Sequence, residues 1–237
     1  MATPYNLEVQ HDCTKCTARK ERPFCNLADP AVAELDALTY ANVQPRGATL
    51  FVEDEEPRGV FILCRGSVKL TMSSSNGRTL IVRTAQAGEV LGVSAVMLNR
   101  PYEFTAETLE PSQVNFVRRD QFMQFLARHN EAAMRLAMQL SDNCLAAHHD
   151  IRSLGLSQTV TEKLSRLLLD WCATKGTQAP NGTRLSVLHT HEEIAQMIGT
   201  TRETVTRVLS DFRSRKLIEM KGSTVIVGPR LAEMVTT

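Results

Sequence analysis

The chain has no run of about 18 apolar residues, so no part of it reads as a membrane-spanning helix. Its start, MATPYNLEV, has neither a basic stretch nor an apolar core behind it, and no secretory signal is expected. It has one tryptophan, Trp171, which is expected to be core. A Gly-rich phosphate loop is missing, and so is any Ser-His or His-Glu constellation, which tells against an enzyme. Charge of one sign is also scarce: 27 Lys+Arg against 26 Asp+Glu leave a net +1, no footprint of a nucleic-acid binder taken whole. A cytoplasmic globular protein of one large or two modest domains is expected from 237 residues.

The charge is uneven. From Leu156 to Thr237 there are 11 Lys+Arg and 8 Asp+Glu, so +3 sits in that third. Inside it, residues Leu188 to Pro229 carry the most information. Thr190 and Glu193 stand as a capping box. Ile194, Met197 and Ile198 give a short helix one buried face, and Gly199 ends it. Thr200 or Thr201 then caps a second helix, whose inner face is Val205, Val208, Leu209 and Phe212. Its outer face carries Arg202, Glu203, Thr206, Arg207 and Ser210. These side chains suit base edges: Arg pairs with guanine, Glu accepts from cytosine, and a Thr methyl meets thymine. A hairpin follows, Leu217 to Met220 and Thr224 to Val227, turning at Lys221-Gly222. That is a helix-turn-helix with a wing, and Lys221 is placed for a phosphate. Arg213, Arg215 and Lys216 cluster at the helix end.

TTRETVTRVLSDF with KLIEMKG resembles the recognition helix and wing of the CRP/FNR superfamily of bacterial transcription regulators. The resemblance covers nearly the whole chain. It implies that Arg202, Glu203 and Arg207, with Thr201 and Thr206 beside them, read a palindromic TGTGA-like site in double-stranded DNA.

Six cysteines in a chain expected inside a reducing compartment point to ligands or redox groups rather than bridges. Cys13, Cys16 and Cys25 lie in DCTKCTARKERPFC, and the basic run Arg19, Lys20, Arg22 favours thiolate. The FNR branch has a similar triplet holding a [4Fe–4S] cluster, with a fourth Cys near the end of its β-roll. This chain has Asn115 there. Cys64 in VFILCRG can supply a fourth ligand only if the arm folds back onto that strand. A non-cysteine fourth ligand is also open; Zn²⁺, a thiol switch without metal, or idle surface thiols in a ligand-independent regulator are the alternatives.

Between Asp29 and Arg118, short apolar runs punctuated by Gly, with Asn76-Gly77 as a hairpin signal, predict a β-roll. Pro30 to Leu38 is predicted as a lead-in helix. GVFILCRGSVKL is similar to the cyclic-nucleotide-type roll. Relatives that bind a nucleotide hold its phosphate with a Gly-Glu start and a later Arg-Ser pair. Gly88 and Glu89 match the start, but Tyr102 and Glu103 stand at the pair, so the pocket is expected to be vestigial and to bind no cyclic nucleotide. A cyclic-nucleotide-responsive regulator remains the alternative of another kind.

From Asp120 the pattern is helical. Leu140, Cys144, Ala147, Ile151 and Leu154 recur at 4, 3, 4, 3, the seam of a two-stranded dimer. His148 and His149 beside it are expected to be solvated. The helix Thr159 to Ala173 follows, then a polar loop, Lys175 to Arg184, at the position where activating relatives touch RNA polymerase.

The expected architecture is α+β. It comprises a cysteine arm (1–28), a β-roll of cyclic-nucleotide-binding-like jelly-roll type (29–128), a long dimerisation helix (129–155) and a winged helix-turn-helix (156–237). The expected protein is a homodimeric regulator that answers oxygen, nitric oxide or redox state.

Overall fold

The computed structural model describes residues 5, 7, 9–10, 12–156, 159–187, 189–222 and 224–235, with backbone alone at 153–156. The chain forms two compact units, dividing between Leu145 and Ala146.

In the first unit the arm makes two 3₁₀ turns, Cys13–Lys15 and Thr17–Glu21. Helix α1 (Asp29–Leu38) follows with Pro30 in its first turn, where the missing N–H costs nothing. Eight strands then build a roll of two four-stranded sheets: β1 (Tyr40–Gln44), β2 (Thr49–Phe51), β3 (Gly59–Arg65), β4 (Ser67–Ser73), β5 (Thr79–Gln86), β6 (Val90–Leu91), β7 (Thr105–Thr108) and β8 (Ser112–Arg118). One sheet runs β1-β8-β3-β6, the other β2-β7-β4-β5. Helix α2 (Val93–Leu98) interrupts the roll between β6 and β7.

Strand β3 explains why both its faces are apolar. Its two-residue period sends Val60 and Ile62 into one core and Leu63 into another. The first core also takes Phe24 from the arm, Val32 and Leu35 from α1, and Phe122 and Phe125 from helix α3 (Arg119–Arg128). Phe24 and Phe122 meet at 6.2 Å between ring centres. The arm is therefore part of the hydrophobic core rather than a tail laid over it.

Helix α4 (Asn130–Leu156) begins on that same core through Ala132 and Leu136. Gln139 is next on the buried stripe. Its amide oxygen accepts from the Val90 N–H at 2.9 Å, and its amide nitrogen donates to the Val90 carbonyl at 2.9 Å. One side chain thus satisfies both backbone groups of a β6 residue that water does not reach.

The residues of the predicted seam differ in their surroundings. Leu140 packs against its own roll, not outward. Cys144, Ala147 and Ile151 are exposed, and the Leu154 side chain lies outside the described residues. The large apolar side chains left exposed within the first unit's part of α4 are Met134 (65%), Met138 (61%) and Leu145 (67%). They form a second stripe, spaced 4 and 7, on the far side of the helix from Ala132 and Leu136.

The second unit contains helix α5 (Val160–Lys175), a hairpin of β9 (Thr177–Ala179) and β10 (Gly182–Ser186), helices α6 (His191–Ile198) and α7 (Arg202–Ser214), and a hairpin of β11 (Ile218–Lys221) and β12 (Thr224–Val227). Its sheet runs β11-β12-β10-β9. The stretch expected as a loop, Lys175 to Arg184, is instead the end of α5 and most of the β9–β10 hairpin. Pro180 and Asn181 make the turn, and Thr183 and Arg184 pair with Val227 and Ile226 of the wing. Trp171 is half-buried against the unit's core and stacks on His189, ring centres 5.4 Å apart.

Candidate functional site

Helix α7 is set in place by its caps and its inner face. Thr190 and Glu193 form the expected capping box on α6: the Thr190 hydroxyl accepts from Glu193 N at 3.2 Å, and the Glu193 carboxylate accepts from Thr190 N at 2.7 Å. Gly199 ends α6 at φ 66°, a left-handed conformation that glycine takes without strain. Thr201 is the cap of α7, its hydroxyl accepting from Thr204 N at 3.3 Å. Val205, Val208, Leu209 and Phe212 are all buried. They join Leu164 and Leu168 of α5, Ile194 and Ile198 of α6, and Val225 and Val227 of β12. Leu188, the first residue of the predicted stretch, lies outside the described residues.

The outer face of α7 is what this packing leaves to solvent. Arg202, Glu203, Thr206, Arg207 and Ser210 are exposed there and line a shallow, open depression of about 570 Å³ with Asp211 and Ser214. The Glu203 carboxyl sits below the usual carboxylate range. Its own backbone N–H and the Thr201 hydroxyl hold the charge, and Arg202 adds to the effect. Lys221 is exposed at the end of β11, and Gly222 follows at φ 60°. Thr201, Arg202, Glu203, Thr206 and Arg207, the residues that the sequence singles out, are all exposed on α7 and its cap. His191 is the residue that it does not single out. Its ring Nδ1 lies 2.9 Å from the Thr206 hydroxyl.

In the first unit the arm does fold back onto β3. Asn115, on β8 opposite Ile62, donates from its side-chain amide to the Cys13 sulfur at 3.8 Å. Asp36 of α1 accepts from the Cys13 N–H at 2.9 Å. Arg22 lies against Gly88, and its guanidinium donates to the Cys16 sulfur at 3.8 Å. Cys13 and Cys25 pack on the core, and Cys64 is buried.

Three of these thiols, Cys13, Cys25 and Cys64, are raised above the ordinary thiol range. Burial pushes the Cys64 thiol up to about 12, and the proximity of Cys25 and Cys16 adds to this while Arg22 opposes it. Burial likewise pushes Cys25 up to about 11, again opposed by Arg22. Cys13 is raised further still, by burial first, then by Asp36, Cys64 and Cys25. Among the described residues no three Cys, His, Asp or Glu side chains stand close enough to hold a single metal ion.

These shifts have a definite sign. A buried thiol with a raised pKa binds its proton in the folded state after the unfolded chain has lost it. The stability it contributes is complete below about 9.0 and is lost as pH rises toward about 12 for Cys64 and about 11 for Cys25. Metal-free protein is thus expected to lose stability across that alkaline window. In denaturant titrations from pH 8 upward, Cys64→Val should flatten the loss; an unchanged slope would contradict the assignment.

At the expected vestigial pocket, Glu89 and Tyr102 are each bonded within the roll. Glu89 accepts from Arg83 at 2.5 Å and from the Gln86 N–H at 2.7 Å. Tyr102 is 3% exposed, stacks on Phe51 at 4.2 Å, and donates its hydroxyl proton to the Gly59 carbonyl at 2.7 Å. Glu103 is exposed. Arg83, from β5, is the cation that Glu89 finds, and the sequence reading did not single it out.

No helix among the described residues is long and apolar enough to cross a membrane. Residues 43–129 match the cyclic nucleotide-binding domain family, and residues 162–234 match the Crp-like helix-turn-helix domain. A CRP-like cAMP-activated global transcriptional regulator of Mycobacterium tuberculosis is 27% identical over 204 residues, 86% of this chain and 91% of that protein. A global nitrogen regulator of Synechococcus elongatus is 28% identical over 77% of this chain and 82% of its own. Among solved structures, the c-di-GMP responsive global regulator CLP of Xanthomonas campestris superposes with a TM-score of 0.75 at 20% identity, covering 85% of this chain and 99% of that one. FixK2 of Bradyrhizobium japonicum gives 0.70 at 19% identity, covering 84% and 98%. Roll, long helix, helix-turn-helix and wing follow one another here as they do in a family of regulators rather than enzymes, and the chain belongs to the CRP/FNR superfamily of bacterial transcription regulators.

Proposed function

We propose that this regulator answers oxygen, nitric oxide or redox state through an iron–sulfur cluster on Cys13, Cys16, Cys25 and Cys64, and not through a cyclic nucleotide. The observation that carries the proposal is the arm's return onto β3 and β8, which sets the Cys13 sulfur on Asn115, the Cys16 sulfur on Arg22 and Cys25 against the same core, with Cys64 buried on β3. The donor set fits such a group: four cysteine sulfurs, with Arg22 beside them to offset negative charge. A single tetrahedral zinc needs its sulfurs crowded at about 2.3 Å from one centre, whereas a cluster spreads its thiolates over several irons. When bound, the cluster supplies redox chemistry; the chain supplies burial, the Asn115 and Arg22 contacts, and the link to α4. That link is direct: Glu131 accepts from the Ala28 N–H at 2.9 Å, and Arg135 donates to the Pro23 carbonyl at 3.2 Å.

The test is the visible spectrum of protein purified without oxygen, with iron and sulfide assays. A broad absorption near 400 nm that bleaches in air, lost in Cys64→Ala, is the expected result. Colourless, iron-free protein would overturn it and leave zinc or a thiol switch. Micromolar binding of cAMP would overturn the exclusion of nucleotides, which rests on Glu89 being neutralised by Arg83 and on Tyr102 being core.

The protein acts, on this reading, as a homodimer that sets two copies of α7 on an imperfect palindrome of TGTGA type. Each half alone is weak, and joining them raises affinity through effective concentration. The exposed stripe Met134, Met138 and Leu145 is the seam. Leu145→Lys is expected to give monomers in sedimentation at micromolar concentration and to weaken operator binding at least tenfold. A variant that stays dimeric would move the seam elsewhere. The β9–β10 hairpin is the surface offered to RNA polymerase.

A further inference from the structure

His191 and Thr206 form a contact whose chemistry has only one consistent direction. The Thr206 hydroxyl donates to the Arg202 carbonyl, one turn back on α7, at 2.9 Å. A carbonyl can only accept, so the single hydroxyl proton is committed there. The His191 Nδ1, also 2.9 Å from that oxygen, must therefore be the donor. His191 is half-buried at the first position of α6, a different helix from the one it grips.

This leaves Thr206 with its proton spent and one of its two lone pairs engaged. On the exposed face of α7, between Arg202 and Arg207, it can then donate no hydrogen bond and accept at most one more, and it carries its methyl. A threonine free to rotate can hydrogen-bond a range of base edges; one held through its oxygen offers chiefly an apolar contact. We propose that His191 is a specificity-determining positioning residue. By holding the Thr206 hydroxyl, it makes that position of the recognition helix select the 5-methyl group of thymine. The inference rests on the reading of α7 as the base-reading helix, and goes beyond it in assigning a role to a residue outside α7.

The test separates the two ideas. The full-length protein first selects a duplex from a random pool. Each thymine of the selected half-site is then replaced by deoxyuridine, one at a time, which removes the methyl and nothing else. Binding is followed by fluorescence anisotropy. One position should lose about fourfold per half-site, the worth of one buried methyl group. In His191→Ala that loss should disappear. In His191→Asn it should persist, since the asparagine amide carries an N–H at the same number of bonds from the backbone. Equal binding of thymine and deoxyuridine at every position by the unaltered protein would sink the inference, and so would undiminished discrimination in His191→Ala. If no sequence is selected from the pool, the base-reading role of α7 itself fails, whatever the uridine series gives.

Discussion

Replacing Phe212 by alanine is expected to cost the DNA-binding unit about 3–5 kcal/mol. The ring is fully buried in the core that α5, α6, α7 and the wing share, so its removal leaves a cavity that the neighbours close only in part. For a unit of this size, each kcal/mol moves the midpoint of thermal unfolding by about 4–8 °C, so a drop of at least about 12 °C should be seen by circular dichroism. The exposed Arg213, one position along the same helix, should tolerate alanine within about 0.5 kcal/mol. A Phe212→Ala protein that melts with the unaltered one would mean that the helix-turn-helix is not held by this core. Operator binding at 37 °C should fall with the folded fraction and recover on cooling.

The second large effect is on recognition. Arg207→Ala should weaken binding to the cognate duplex by about 1–3 kcal/mol and relax preference at one base pair per half-site. Lys221→Ala should behave differently. If Lys221 meets a phosphate, its loss weakens all sequences alike and lowers the salt dependence by close to one counterion per half-site. Titrations at several salt concentrations, with cognate and scrambled duplexes, separate the two. Uniform weakening by Arg207→Ala, with specificity intact, would remove it from base reading.

Much of this site is legible in the sequence because local chemistry sets it. Thr190 and Glu193 are three residues apart on any chain, and a capping box needs nothing further. Gly199 ends a helix because of its own backbone freedom. Val205, Val208, Leu209 and Phe212 declare a buried face by spacing alone, and the outer face follows by subtraction. The misread parts depend on distant partners. Helix α4 carries two apolar stripes, and spacing does not say which of them meets the roll. Leu140 belongs to the inner one, with Leu136 and the polar Gln139; Met134, Met138 and Leu145 belong to the outer. The β9–β10 hairpin reads as a loop because Thr177, Gln178 and Ala179 show no alternation; β10 is a strand because the wing supplies a partner. Arg83 and His191 escape notice because each bonds to a residue outside its own element, six and fifteen residues away, at no spacing that a helix or a strand sets. Asn115 was visible only as a missing cysteine, and the fold puts its amide on the Cys13 sulfur.

The contact between Gln139 and Val90 has a consequence in time. The Val90 amide hydrogen is tied to a side chain on a different element, and lifting of the start of α4 from the roll would free it to exchange with solvent. The same lifting must release Glu131 from Ala28 and Arg135 from Pro23. The arm, the β6 strand and the first turns of α4 are therefore expected to open together, with the deuterium uptake of Val90 as the readout. Any event at the arm that loosens those bonds should be read there as faster exchange, well before the chain as a whole unfolds.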